Sequence, residues 1–285
     1  MLEVAGTPKP GNVDRRRDLD DLRFEQFLAG GVGSGRGLRR AAGGAPVGEA
    51  FERAVDGMSQ QSGGNTQFGC LLLLVPLVRA AAAGDLSPAG VTDVVEGTTV
   101  EDAADFYRAF DHVAVAVGDP PADAPDLDVR HGSDAVSAVR ERGVTLYDVM
   151  ELAVERGDGS SGDGNAREWV SGFPRTFRAA ESIGADEGPV LDRAARAFVD
   201  LLADDAELDT LVATQHGPER AREVRRRARE VGGDPQSTEP PVERIDLDAA
   251  EALAEEFAAD GVNPGTTADA VAAALFVALE RGVTV

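Results

Sequence analysis

Residues 67–83 read Gln-Phe-Gly-Cys-Leu-Leu-Leu-Leu-Val-Pro-Leu-Val-Arg-Ala-Ala-Ala-Ala and carry one charge, Arg79. A helix that is apolar on every side must be covered on every side, so the other elements have to pack around it. The run is too short to span a bilayer, and Pro76 and Arg79 interrupt it. It is expected to be a central buried helix, kinked near Pro76.

The rest of the chain supplies helices to surround it. Leu22, Phe24, Phe27 and Leu28 predict one after the acidic stretch 18–21, and Phe51, Ala54, Val55 and Met58 a second at helical spacing. Thr99 to Phe110 reads as a helix with Glu101 and Asp102 in its first turn. Two more are expected over 133–142 and 145–156. Val190, Leu191, Ala194, Ala195, Phe198, Leu201 and Leu202 form an apolar stripe. Pro218 opens an arginine-rich helix at its first turn, and two last helices follow near 247–259 and 267–281. Stretches 117–128, 157–164 and 232–242 read as loops. His112–Val117 is the one candidate strand, and it is isolated. The expected fold is all-α, a single compact multi-helix domain over 1–285.

Charge and cysteine content exclude several classes of function. Asp and Glu number 51 against 28 Lys and Arg, a net charge of −23, which argues against generic nucleic-acid or anionic-membrane binding. Acidity spread along the whole chain with almost no lysine suits a halophilic cytoplasm, where molar salt shortens the Debye length to about 3 Å. With one cysteine no internal disulfide can form, and Cys70 reads as a small buried hydrophobe. His112, His131 and His216 lack metal-ligand spacing. The charged, proline-containing opening is unlike a signal peptide, so a soluble cytoplasmic protein is expected.

Three segments could carry chemistry. Lys9 is the only lysine of the chain, in Thr7-Pro8-Lys9-Pro10-Gly11, where two prolines and a glycine constrain the backbone. A lone ammonium on a stiff loop suits a phosphate contact. Gly63-Gly64-Asn65-Thr66 leads into the apolar helix, and Asn263-Pro264-Gly265-Thr266-Thr267-Ala268-Asp269 leads into the last one. Each places glycine and a hydroxyl residue at a helix start, where free amides and the helix dipole favour anions. Thr266 and Asp269 have capping-box spacing. Among the many carboxylates, Asp18 and Asp20 stand out after Arg15-Arg16-Arg17, Asp269 in the first turn of the last helix, and Glu168 beside Trp169 and before Gly172-Phe173-Pro174. Carboxylates near a polyphosphate hold Mg²⁺ or act as a general base toward a hydroxyl. The arginines of 220–229 interleave with Glu219, Glu223 and Glu230, a solvated ion-paired face with Glu223–Arg227 at i,i+4.

These motifs, in this order, resemble the triphosphoribosyl-dephospho-CoA synthase family, in a form closer to its archaeal-type branch. Thr7 to Asp14 matches its opening segment, Gly63 to Gly69 its middle motif with Gln67-Phe68 substituted, and Asn263 to Asp269 its closing motif without change. Ala166-Arg167-Glu168 and Gly172-Phe173-Pro174 match a weaker region with altered spacing. The chain departs from the family at Arg15-Arg16-Arg17-Asp18 and at Asp209-Thr210-Leu211…Gln215-His216-Gly217.

The resemblance implies an all-α, Mg²⁺-dependent transferase. ATP would donate its triphosphoribosyl group to the 2′-hydroxyl of 3′-dephospho-CoA, releasing adenine and making a prosthetic-group precursor. Lys9, Gly11, Gly64, Asn65, Thr66, Asn263, Gly265, Thr266 and Thr267 would hold the substrates. Asp18, Asp20 and Asp269 would serve as metal ligands or base, with Glu168 in reserve. Other ATP-using ribosyl or phosphoryl transfers, or a non-catalytic nucleotide-binding protein, stay open, as does a homo-oligomer.

Overall fold

The computed structural model describes residues 1–118, 120, 124–154, 162–204, 208–232, 238–239 and 244–285. The expected loops at 157–164 and 232–242 fall mostly outside these residues, as does part of 117–128. The regular structure of the described residues is helical, without a strand, so the fold is all-α. Residues 112–117, the one candidate strand, form no helix or strand. No helix among the described residues is long and apolar enough to cross a membrane.

The helices are α1 (Leu2–Ala5), α2 (Phe24–Ala42), α3 (Val47–Met58), α4 (Phe68–Ala82), α5 (Pro88–Glu96), α6 (Val100–Ala109), α7 (Val136–Arg142) and α8 (Leu146–Val154), then α9 (Gly164–Ser171), α10 (Pro174–Ala185), α11 (Val190–Ala203), α12 (Thr210–His216), α13 (Pro218–Gly232), α14 (Leu247–Ala259) and α15 (Gly265–Glu280). Contacts divide them between two compact units. One joins Met1–Phe27 to Arg175–Val285, and the other is Leu28–Pro174.

In the Leu28–Pro174 unit the apolar helix α4 is central, packed by α3, α5 and α9. Its Phe68 meets the Phe51, Phe106 and Phe110 rings, with centroids 5.0, 6.2 and 4.9 Å away. The helix continues through Pro76, which is buried. Proline has no N–H, so the carbonyl four residues back, Leu72, lacks its in-helix donor. The buried Trp169 indole supplies one at 3.0 Å. Cys70 is half-buried rather than fully enclosed. At the start of α6, Thr99 and Asp102 form a reciprocal capping box, with Asp102 in the first turn as expected. Asp102 Oδ1 also accepts from Gly48 N at 2.8 Å, joining the starts of α3 and α6.

Helix α2 runs on through five glycines, farther than its apolar pattern suggests. Tight packing explains two of them. A Cβ on Gly33 would lie 2.1 Å from the Gly57 carbonyl oxygen, and one on Gly37 2.3 Å from Ala54 N. The backbones of α2 and α3 touch along a seam that admits no side chain, which offsets the low helix propensity of glycine.

In the other unit α15 is the apolar centre, buried at Thr266–Ala268, Ala270, Val271, Ala273–Leu275, Val277 and Ala278. Helix α11 packs against it with the predicted stripe and also touches α13 and α14. The arginine-rich α13 carries an ion-paired face, with some partners other than those expected. Arg227 binds Glu256 on α14, while Glu223 pairs with Arg220 at 2.7 Å. The Arg227 guanidinium holds the Glu256 carboxyl below the usual carboxylate range.

Candidate active site

The N-terminal loop is a buried strap, not a solvated arm: every residue from Gly6 to Asp14 is buried. Its Thr7–Pro8 bond is cis. Asp14 organises it. The Asp14 carboxylate accepts from Thr7 Oγ1 at 2.9 Å, Arg16 N at 2.7 Å, Arg17 N at 3.0 Å and the Arg17 guanidinium at 2.7 Å, with Lys9 N at 3.3 Å. Lys9 is 1% exposed, and its ammonium lies 2.6 Å from Glu3 Oε1 and 3.0 Å from Asn12 Oδ1. The one ammonium of the chain is therefore neutralised within its own segment. Charged groups go this deep only when paired and hydrogen-bonded.

This strap lies directly on the loop that opens α15. Asn12 Nδ2 donates to Asn263 Oδ1 at 2.8 Å. Gly11 has φ 77°, and a Cβ there would lie 2.4 Å from the Val262 carbonyl oxygen and 2.9 Å from Pro264 Cδ. Both the left-handed backbone and the close approach require glycine. Glu3, Lys9, Asn12 and Asn263 thus form a continuous polar chain between the two motifs.

The start of α15 differs from the expected capping box. The helix begins at Gly265, its N-cap is Pro264 without a side-chain cap, and Asp269 is half-buried beyond the first turn. Thr266 lies inside the helix, and its hydroxyl is 3.1 Å from Thr210 Oγ1 and accepts from Leu211 N at 3.2 Å. Thr267 donates both its amide and its hydroxyl to Asp209 Oδ2, each at 2.8 Å. The other Asp209 oxygen caps α12 through Val212 N at 3.0 Å. Burial pushes the Asp209 carboxyl above the usual range, while the Val212 and Thr267 amides, the Thr267 hydroxyl and the Arg175 charge pull it back. The Thr267 donors and the Lys9 ammonium are thus taken by two of the chain's own carboxylates, Asp209 and Glu3.

Asp18 and Asp20 are exposed, and Asp18 Oδ1 accepts from Phe24 N at 2.9 Å at the start of α2. Among the described residues no group of three His, Cys, Asp or Glu side chains could hold a metal ion. Asp18, Asp20 and Asp269 are carboxylates, the oxygen-ligand type that Mg²⁺ prefers.

The remaining candidates belong to the Leu28–Pro174 unit. In the Gly63–Gly69 loop, Gly64 is exposed with φ 63° and open space where a side chain would begin. Asn65 Oδ1 accepts from Phe68 N, the first amide of α4, at 3.0 Å. Thr66 Oγ1 donates to Gln67 Oε1 at 2.9 Å. Glu168 is 2% exposed on α9. That helix ends at Gly172 (φ 76°), followed by the buried Phe173 at φ 59°, a left-handed conformation that few side chains adopt.

Reading the residues singly missed Asn12, Asp14 and Asp209. Asp14 closes the Thr7–Asp14 motif, and Asp209-Thr210 has the form of a helix cap, so both left a trace. Asn12 left none, since its partner lies 251 residues away.

Comparison with known proteins bears on this site. A search of curated proteins gave no match. Among solved structures, a protein of Archaeoglobus fulgidus, provisionally assigned as a triphosphoribosyl-dephospho-CoA synthase, superposes with a TM-score of 0.66 at 24% identity. The alignment covers 90% of this chain and 99% of that one, which establishes a shared fold. The family CitG, ATP:dephospho-CoA triphosphoribosyl transferase, matches residues 1–284. That span includes every candidate residue from Lys9 to Asp269, and on it the chain belongs to the ATP:dephospho-CoA triphosphoribosyl transferase family and is a transferase.

Proposed function

We propose that this transferase moves the triphosphoribosyl group of ATP onto the ribose 2′-hydroxyl of 3′-dephospho-CoA and releases adenine. The observation that carries this reading is the contact of Asn12 with Asn263, which brings together the first and last of the segments that resemble the family. In the reaction the 2′-oxygen forms a bond to C1′ of the ATP ribose as the bond from C1′ to the adenine nitrogen breaks. The adenine keeps the bonding pair and takes a proton on that nitrogen from solvent, while the hydroxyl proton passes to a carboxylate. Positive charge grows on the ribose, and fixed carboxylates stabilise it.

Asp269, half-buried on α15, and the exposed Asp18 and Asp20 are the carboxylates proposed for base and metal roles, with Glu168 in reserve. Mg²⁺ would be held by one or two of these side chains together with phosphate oxygens and water, and would neutralise the triphosphate. Gly11, Asn263, Gly265, Thr266 and Thr267 shape one wall. Gly64, Asn65 and Thr66 form a second candidate anion loop. A phosphate at Lys9 would share the ammonium with the Glu3 carboxylate and the Asn12 side chain.

The test is incubation with ATP, 3′-dephospho-CoA and Mg²⁺ in molar salt, followed by chromatography and mass spectrometry. Adenine together with a triphosphoribosyl adduct of the acceptor is the expected outcome. ADP or AMP in place of adenine would mean phosphoryl or nucleotidyl transfer and would sink the reading.

A further inference from the structure

One carboxylate holds the first turns of two helices. Asp209 is 5% exposed, and its two oxygens divide the work. Oδ1 caps α12 through Val212 N at 3.0 Å, and Oδ2 takes the amide and hydroxyl of Thr267 on α15 at 2.8 Å each. Serine, threonine or asparagine caps a helix with one oxygen. Only an acid offers two, and that is the chemical reason to bury a charge here despite its desolvation cost. The neighbouring pair repeats the linkage, with Thr210 Oγ1 3.1 Å from Thr266 Oγ1. Residues 209–210 thereby fix residues 266–267, and the preceding Asn263 is the partner of Asn12.

We propose that Asp209 is a positioning residue, fixing the first turn of α15, and with it the Asn263–Thr267 segment, in the geometry that binds the nucleotide substrate. This rests on the functional reading above and adds to it a residue that touches neither substrate. Losing the second oxygen loosens the turn without removing any group that contacts the reacting atoms. The effect is then concentrated in nucleotide affinity, not in the chemical step.

The experiment compares wild type with Asp209→Asn and Thr267→Val. It measures ATP affinity by calorimetry, adenine-release kinetics, and amide exchange at residues 266–268. In Asp209→Asn the Kd and KM for ATP are expected to rise about tenfold, the scale of a lost charge-assisted hydrogen bond. The fall in kcat is expected to stay within about threefold. Amides 266–268 exchange faster, while those of α4 do not change. Thr267→Val, which removes one bond of the three, shifts affinity in the same direction by less. It carries the test if Asp209→Asn fails to fold. Variants that melt earlier yet bind ATP with wild-type Kd and KM overturn the proposal. Wild-type protein that binds ATP but releases no adenine removes the functional reading, and the affinity series still judges Asp209. Wild-type protein that binds no ATP overturns both.

Discussion

Trp169 donates to the Leu72 carbonyl the hydrogen bond that Pro76 cannot make, at 3.0 Å in the centre of the Leu28–Pro174 unit. The proline at the middle of α4 and the single tryptophan of the chain therefore form a functional pair, although 93 positions separate 76 from 169. An unsatisfied buried carbonyl costs about 1–3 kcal/mol. Trp169→Phe is expected to lose that and some packing. Pro76→Ala restores an N–H to the helix, so Trp169→Phe should cost less in that background. Denaturant melts of the four proteins measure the coupling, and strictly additive losses would contradict it.

The seam between α2 and α3 is expected to reject the smallest added side chain. Gly33→Ala gains about 1 kcal/mol of helix propensity. Its Cβ would meet the Gly57 carbonyl oxygen at 2.1 Å, and relieving that contact means separating two backbones. Overpacking of this kind costs about 1–3 kcal/mol or more. A net loss of stability is expected, whereas Gly35→Ala, whose Cβ meets only the tip of Arg39, should be neutral or stabilising. Equal melting temperatures for the two variants would refute the seam.

Glu3 and Lys9 form a buried ion pair, with side chains 11% and 1% exposed. Removing one partner strands the other, a loss of about 3–5 kcal/mol. Glu3→Ala should therefore destabilise the fold strongly, with Asn12 left as the one remaining acceptor for the ammonium. The double change Glu3→Leu with Lys9→Met should recover much of that stability while affecting nucleotide binding separately. A Glu3→Ala protein as stable as wild type would show that the ammonium needs no internal counter-charge.

Asp209 gives a pH signature with a definite sign. Burial raises its folded-state pKa above the unfolded value of about 3.9, so between the two the folded chain holds a proton that the unfolded chain has released. The stability from this group is complete below the unfolded value and is lost as pH rises through the folded one. Asp209→Asn cannot titrate. The difference in melting temperature, wild type minus variant, should therefore shift against wild type as pH rises from the unfolded value through the folded one. A shift in favour of wild type over that window would mean that hydrogen bonds outweigh desolvation.

Local signals were the legible ones. The apolar run of α4, the stripe of α11 and Pro218 opening α13 each depend on residues within a few turns of one another, so periodicity and spacing reveal them. The all-α fold follows from their sum. The motifs around Lys9 and Asn263 were visible as constrained loops, and the family match over residues 1–284 agrees with the resemblance they carried.

What only the tertiary structure decided was where their donors go. Composition marks Lys9 as special but does not reveal that Glu3 neutralises it, and Thr266 at a helix start reads as a cap until Thr210 and Leu211 are seen meeting its hydroxyl. The same holds for the glycines of α2, which weaken a helix unless a second backbone lies against them. Side-chain spacing along a chain encodes which face of an element is buried. It does not encode which distant carboxylate, carbonyl or backbone will occupy that face, because that depends on contacts made only when remote segments meet.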